Sequence, residues 1–184
     1  NKIRESINNR IHNLLFPNTN YGIGEVLISN QNIDYLGKKR KKDRKYNITN
    51  SELLVVVDTR QISKKFVVSN LSIDVLYDEI TTNRGKVNVL NIQYHNTYNK
   101  FVNDIKGLCI LKKLKWETYH TYREYFHDIS YSYAITVHKA QGSGFKYVAV
   151  YYDDIKKFFN KNILVNLFYT AVTRTRNICY IIKD

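Results

Sequence analysis

From Lys2 to Phe16 the apolar residues Ile3, Ile7, Ile11, Leu14 and Leu15 fall three and four apart, the spacing that gathers side chains on one face of a helix. Pro17, with a fixed φ and no amide hydrogen, predicts where that helix stops. From Gly22 the period shortens. GEVLIS, LLVVVD, KFVVS, LSIDVLY and KVNVLNIQY are short β-branched runs separated by Asn, Gly, Ser and Lys clusters, and they predict a small β-rich unit. Helical spacing returns over Asn99 to Lys112 through Phe101, Val102, Ile105, Leu108 and Leu111, and Trp116 to Phe126 predicts a second, aromatic-rich helix. The final third alternates: SYAIT as a strand, VHKAQG as a turn into a short helix, KYVAVYY as a strand, NILVNLFYTAVTRTR as a helix and NICYIIK as a closing strand. That order predicts a parallel α/β sheet, because parallel strands need helical crossovers between them. No repeat and no Gly/Ser-rich or Pro-rich linker breaks the chain, which holds one Pro and seven Gly.

Composition narrows the class. With 184 residues, 43% hydrophobic and 14% aromatic, the chain suits one compact domain or one domain with a small insertion, and global disorder is not expected. Lys and Arg number 29 against 16 Asp and Glu, a net +13 that favours polyanions such as nucleic acid, although Asn, Lys, Ile and Tyr are also the residues that AT-rich codons encode. The run GKKRKKDRKY, Gly37 to Tyr46, has no apolar anchor before Tyr46 and predicts a solvated loop; gripping a strand or nuclear localisation is the sharper alternative. Cys109 and Cys179 form no Cys-x-x-Cys pair, so neither a zinc site nor a disulfide framework is predicted, and an intracellular, reducing setting is expected. No apolar run approaches the roughly 20 residues of a membrane span. The chain opens on Asn and not Met, as expected for a portion of a longer polypeptide.

Two segments carry chemistry. In Tyr133 to Phe145, YAITVHKAQGSGF, an apolar strand is expected to feed Thr136, His138, Lys139, Gln141 and Gly142 into a turn at the carboxyl edge of the sheet, where ligands bind in open α/β folds. Polar groups that dense have poor packing value, since burying them without partners is costly. In Leu167 to Arg176, LFYTAVTRTR, an apolar helix face ends in Thr173, Arg174 and Arg176. A planar, permanently charged guanidinium at a helix end suits the charge that develops in phosphoryl transfer; the plainer alternative for Arg174 is a salt-bridging residue favoured by the helix dipole.

These stretches resemble motifs V and VI of superfamily 1 helicases in the UvrD-like C-terminal form of the RecD and Dda branch, written there approximately a-x-T-x-H-K-x-Q-G and l-Y-v-a-l-T-R-a-r. The first helix, with Asn1 and Asn8, is similar to the segment after motif IV. The β-rich middle, with strands opened by Gly24 and Glu25 and by Asn50, Ser51 and Glu52, is similar in position to the SH3-like subdomain inserted in that branch. The resemblance implies an α/β fold: a RecA-like, P-loop-type parallel sheet with helices over 1–20 and 129–184, and an insertion over 21–128 containing the SH3-like β-rich subdomain and helices. It implies the C-terminal half of an ATP-dependent helicase or translocase, moving 5′ to 3′ on single-stranded DNA. Arg174 becomes the arginine finger, Gln141 and Gly142 line the nucleotide cleft, Arg176 supports that interface, and Thr136 and His138 touch the strand, with Lys139 able to serve either surface. ATP and Mg²⁺ are implied as ligands held mainly by the N-terminal RecA-like domain of the same polypeptide. Many relatives carry Glu two residues after the motif V glycine to hold the ribose, whereas this chain has Ser143, Gly144 and Phe145. Viral RNA helicases of the superfamily have similar final motifs, and a degenerate half that only binds nucleic acid would share them.

None of the seven glycines begins a G-x-x-x-x-G-K-S/T phosphate loop, so the chain alone is expected not to hydrolyse ATP. Asp78 and Glu79 follow an apolar run as a Walker B pair would, but are taken as a strand-end turn. His12, His95, His120 and His127 are expected as surface or half-buried polar residues; His120 with Glu117 and Glu124 has helical spacing, yet no third strong ligand is adjacent and no metal is predicted. Tyr119, Tyr122, Tyr125 and Phe126 are expected to pack a core and not to stack on bases, and Trp116 to act as a packing anchor.

Overall fold

A computed structural model describes residues 2–33, 47–157 and 160–183. The Gly37–Tyr46 run and Asn1 lie outside the described residues. The chain forms two compact units, Asn1–Tyr133 and Ala134–Asp184.

The first unit opens with α1 (Lys2–Leu15), closed by Pro17 as the sequence requires. Its apolar stripe is not its buried face: Ile3, Ile7, Leu14 and Leu15 are exposed, while Asn8 and His12 turn inward. The inward face succeeds because its polar groups are paired. His12 Nδ1 stands 2.8 Å from Glu25 Oε1, Nε2 lies 2.8 Å from the Thr19 carbonyl, and Tyr131 stacks on the ring at 4.3 Å. His12 is thus a core residue, not the surface or half-buried one expected.

Five strands follow in one sheet of order β4-β3-β2-β1-β5: β1 (Val26–Ser29), β2 (Leu53–Val68), β3 (Leu71–Thr82), β4 (Gly85–Leu90) and β5 (Ile129–Tyr131). Every pairing in it is antiparallel. LLVVVD and KFVVS, expected as separate strands, are the two ends of the 16-residue β2, which runs against β3 as a long hairpin. Asp78 and Glu79 lie within β3 and do not form the expected strand-end turn. Asn20 donates to Asp78 Oδ2 at 3.0 Å, while Glu79 pairs with Arg60 and, at 3.2 Å, with Lys86.

Two apolar clusters hold this unit. One buries Leu27, Ile33, Ile48, Leu54, Val56, Ile80 and Val87 against the sheet. The other lies where the far half of the hairpin meets α2 (His95–Ile110) and α3 (Trp116–Arg123), around Phe66, Tyr77, Tyr98, Phe101 and Ile105. Its rings meet mostly edge to face, Phe66 with Tyr125 at 4.9 Å and Tyr98 with Phe126 at 4.7 Å, the arrangement that ring quadrupoles favour. Tyr119, Tyr122, Tyr125 and Phe126 all pack here, as expected. Trp116 does not: it is half exposed, against the expectation of an anchor.

The second unit contains α4 (Val137–Ala140), β6 (Phe145–Tyr151), α5 (Tyr152–Ile155), α6 (Lys161–Val172) and β7 (Thr175–Ile182). β6 and β7 pair in parallel, joined by the helical crossover that parallel strands require. Parallel pairing among the described residues is confined to these two strands; the expected SYAIT strand is instead β5, three residues earlier and antiparallel to β1. Ser132 and Tyr133 are drawn out of strand geometry by their side chains, which donate to the Val26 carbonyl at 2.6 Å and to Glu25 at 2.8 Å. Val150, Ile155, Leu167 and Ala171 form the core of this unit.

Candidate nucleotide and nucleic-acid site

Local chemistry explains the polar turn. Thr136 is extended and caps α4, its Oγ1 accepting the Lys139 amide at 3.3 Å, which satisfies one of the helix's orphan donors. Val137 packs against the core of the second unit and Ala140 is buried, leaving His138 exposed and Lys139 half-buried. Gln141 ends the helix with its amide on the His138 carbonyl at 3.2 Å, and Gly142 then adopts φ +81°, a left-handed conformation that a side chain resists. Ser143 returns its amide to the Ala140 carbonyl at 3.1 Å, and Gly144 leads into β6.

The arginines arrive at the same edge from the other strand. α6 is capped at its start by Asn160, whose side chain accepts from Asn162 and Ile163. It ends at Thr173, and Arg174 precedes β7. The Phe145 amide donates to the Arg174 carbonyl at 2.8 Å, so the turn and Arg174 meet at the amino-terminal ends of the parallel pair. The expected location at a carboxyl edge is therefore corrected: the strand before the turn belongs to the antiparallel sheet, and the turn enters β6 at its start. Arg174 Nε donates to the Thr170 carbonyl at 3.3 Å and Nη2 to Thr173 Oγ1 at 3.3 Å, closing a carbonyl that the helix end leaves open. The Arg176 guanidinium lies over Gly144; a Cβ there would fall 2.9 Å from Nε and 3.2 Å from Nη2.

Gln141, Gly142, Arg174 and Arg176 thus share one edge of the second unit; His138 and Lys139 sit on α4, which Thr136 caps and which packs against α6. Gly144 was not singled out from the sequence, and its signal is the SGF that stands where relatives carry Glu. Residues 131–182 match the UvrD-like helicase C-terminal domain. That match takes in both the polar turn and the arginines, and it supports a superfamily 1 helicase C-terminal domain over this stretch.

Two curated proteins are similar over most of the chain. One, an uncharacterized protein of Methanocaldococcus jannaschii, is 25% identical over 212 residues, covering 99% of this chain and 17% of its own length. The other, an uncharacterized protein of Acanthamoeba polyphaga mimivirus, is 30% identical over 172 residues, covering 89% of this chain and 34% of its own length. The chain therefore spans a minor part of either relative.

Within the first unit a polar cleft of about 580 Å³ is lined by Asn13, Asn18, Asn20, Arg60, Gln61 and Asp78, among others. Burial raises the Asp78 carboxyl, partly opposed by the Asn20 amide, and burial pushes the Tyr131 hydroxyl on the same wall up to about 12. The second unit has a mostly apolar cleft of about 500 Å³ beside Tyr152, Leu164, Phe168 and Tyr169.

Proposed function

We propose that this chain supplies the C-terminal half of an ATP-dependent helicase or translocase of the RecD and Dda branch, moving 5′ to 3′ on single-stranded DNA, with Arg174 as its arginine finger. In this reading residues 1–20 and 129–184 belong to a RecA-like motor domain, residues 21–128 carry the SH3-like insertion and its helices, and an N-terminal RecA-like domain completes the nucleotide site. The observation that supports it best is the hydrogen bond from the Phe145 amide to the Arg174 carbonyl, because it joins the two motif segments at one edge.

The residues at that edge fit a phosphate. Arg176 brings its guanidinium to the turn at Gly144, the Arg174 backbone joins the turn at Phe145 while its guanidinium rests on Thr170 and Thr173, and the exposed Gly142 and Gly144 keep side chains out of the approach. ATP, when bound, supplies the phosphoanhydride whose cleavage drives the cycle. Arg174 acts by exchanging the Thr170 carbonyl and Thr173 hydroxyl, which it now holds, for phosphate oxygens. Gln141 and Gly142 border that cleft, Arg176 braces it, and Mg²⁺ falls to the nucleotide-binding half. Thr136 and His138 hold the strand, with Lys139 between the two surfaces. Coupling follows because α4 packs on α6, so movement of Arg174 reaches the strand-holding residues through a single helix contact.

The test is Arg174→Ala in the longer polypeptide that carries both halves. Nucleic-acid-stimulated ATPase falls about 1000-fold or more, the usual worth of such a finger, while oligonucleotide affinity is retained. Intact ATPase would show instead a module that only binds. Unwinding of matched DNA and RNA duplexes by the same protein decides the strand chemistry.

A further inference from the structure

The helix α3 carries a cationic, aromatic face that the core of the first unit takes up only in part: Tyr119 packs against that core, whereas Trp116, His120 and Arg123 are exposed. Trp116, Tyr119, His120 and Arg123 recur at intervals of three and four and therefore share one side of the helix. The Trp116 and Tyr119 rings meet edge to face at 5.7 Å, Tyr119 meets His120 at 5.3 Å, and the Arg123 guanidinium lies 5.9 Å from the centre of the Tyr119 ring. Next to Tyr119 on the helix, Tyr122 carries the packing further, edge-on to both Phe66 and Phe101.

Trp116 is 47% exposed, a large fraction for a residue whose burial would be worth so much. Just before it, the turn leaving α2 presents exposed Lys112, Lys113 and Lys115, with Lys112 in a left-handed conformation at φ 58° and Ile110 and Leu111 exposed beside them. From Lys112 to Arg123 four cations stand against one carboxylate, Glu117.

We propose that this face is a second nucleic-acid contact that takes a single strand: Lys112, Lys113, Lys115 and Arg123 pair with phosphates while the Trp116 indole stacks on a base. The positive charge selects a polyanion, and the indole selects one with open π-faces, which unpaired bases offer and duplex bases do not. The stack of Arg123 on Tyr119 holds the guanidinium in place before any ligand arrives. The proposal concerns the first unit and does not depend on the role given to Arg174.

Trp116 is the only Trp in the chain, so intrinsic tryptophan fluorescence reports on this face alone. Titrating the chain with a short oligothymidylate is expected to quench it. Trp116→Ala, followed by fluorescence anisotropy of a labelled oligonucleotide, weakens binding about fivefold or more, and Trp116→Phe recovers part of the loss. The triple variant Lys112→Ala, Lys113→Ala, Lys115→Ala lowers the slope of log affinity against log salt by about 2, as expected for three lost phosphate contacts on a single strand. Far-UV circular dichroism confirms that each variant is folded. The proposal is overturned if the oligonucleotide fails to bind, or if it binds without quenching and with an affinity and salt slope that the triple variant leaves unchanged. It is equally overturned if polyglutamate or phosphatidylserine vesicles quench as strongly as the oligonucleotide, which would mark a protein or membrane surface. None of these outcomes touches the Arg174 reading, whose measure is ATPase.

Discussion

The guanidinium of Arg176 occupies the space that a side chain at Gly144 would need, whereas nothing lies within 4 Å of a Cβ built at Gly142. The two glycines of the polar turn are therefore required for different reasons. Gly142 answers to its backbone, at φ +81°, and Gly144 to its neighbour. Gly142→Ala is expected to cost about 1–2 kcal/mol of stability in urea unfolding, the price of a left-handed alanine. Gly144→Ala meets only the end of a flexible side chain, so stability changes little. If Arg176 braces the nucleotide edge, its displacement lowers the ATPase of the longer polypeptide about 10- to 100-fold. Unchanged ATPase in Gly144→Ala would remove Arg176 from that edge.

How much of this was legible in the sequence depended on whether burial decided each element. The helix before Arg174 and the two strands around it could be read because their apolar runs are continuous and Val148, Val150, Leu164, Leu167, Phe168, Ala171 and Cys179 pack together, although Ile163, Val165, Ile178 and Ile181 are exposed. The continuity of β2 could not, because its middle, from Asp58 to Lys65, is largely exposed and shows no alternation. The strand before the polar turn was placed three residues late because Ser132 and Tyr133 look strand-like but are held by side-chain hydrogen bonds. α1 misled in the opposite sense: its apolar stripe is clear, yet the face turned inward is the one with His12 and Asn8. At the candidate site, residue types and order were legible, but the engagement of Arg174 with Thr170 was not, since a helix-end carbonyl leaves no mark on composition. Trp116 was misjudged because residue type favours packing, while the neighbouring lysines favour an exposed face.

Glu25 is the acceptor on which the interior of the first unit converges. Its carboxylate receives the Gly22 amide at 2.9 Å and the Tyr133 hydroxyl at 2.8 Å, faces His12 Nδ1 at 2.8 Å, and is 2% exposed. Removing it strands three polar groups where water does not reach. Glu25→Ala is expected to lose about 3–5 kcal/mol in urea unfolding, the usual result of breaking a buried pair from one side. Glu25→Gln keeps an oxygen for the Gly22 amide and loses less. A loss below about 1 kcal/mol in Glu25→Ala would mean that water satisfies these donors in the folded chain.

His127 gives the first unit a pH dependence whose sign can be worked out. Burial holds its folded pKa below the ordinary 6.5, and the Asn88 amide donates to Nδ1 at 2.9 Å, a contact that needs this nitrogen unprotonated. Above the ordinary value both folded and unfolded chains carry a neutral ring, and the contribution to stability is complete. As pH falls below it, the unfolded chain takes up the proton first and stability is lost, down through the folded pKa. Asp78 acts with the opposite sign in a more acid range, since burial raises its carboxyl and the folded state is protonated first. Melting temperature is therefore expected to fall between about pH 7 and pH 5 in the unaltered chain. His127→Asn preserves an acceptor for the Asn88 amide without a titrating ring and flattens that slope. Melting curves that stay parallel for the two proteins across this range would assign the pH dependence to another group.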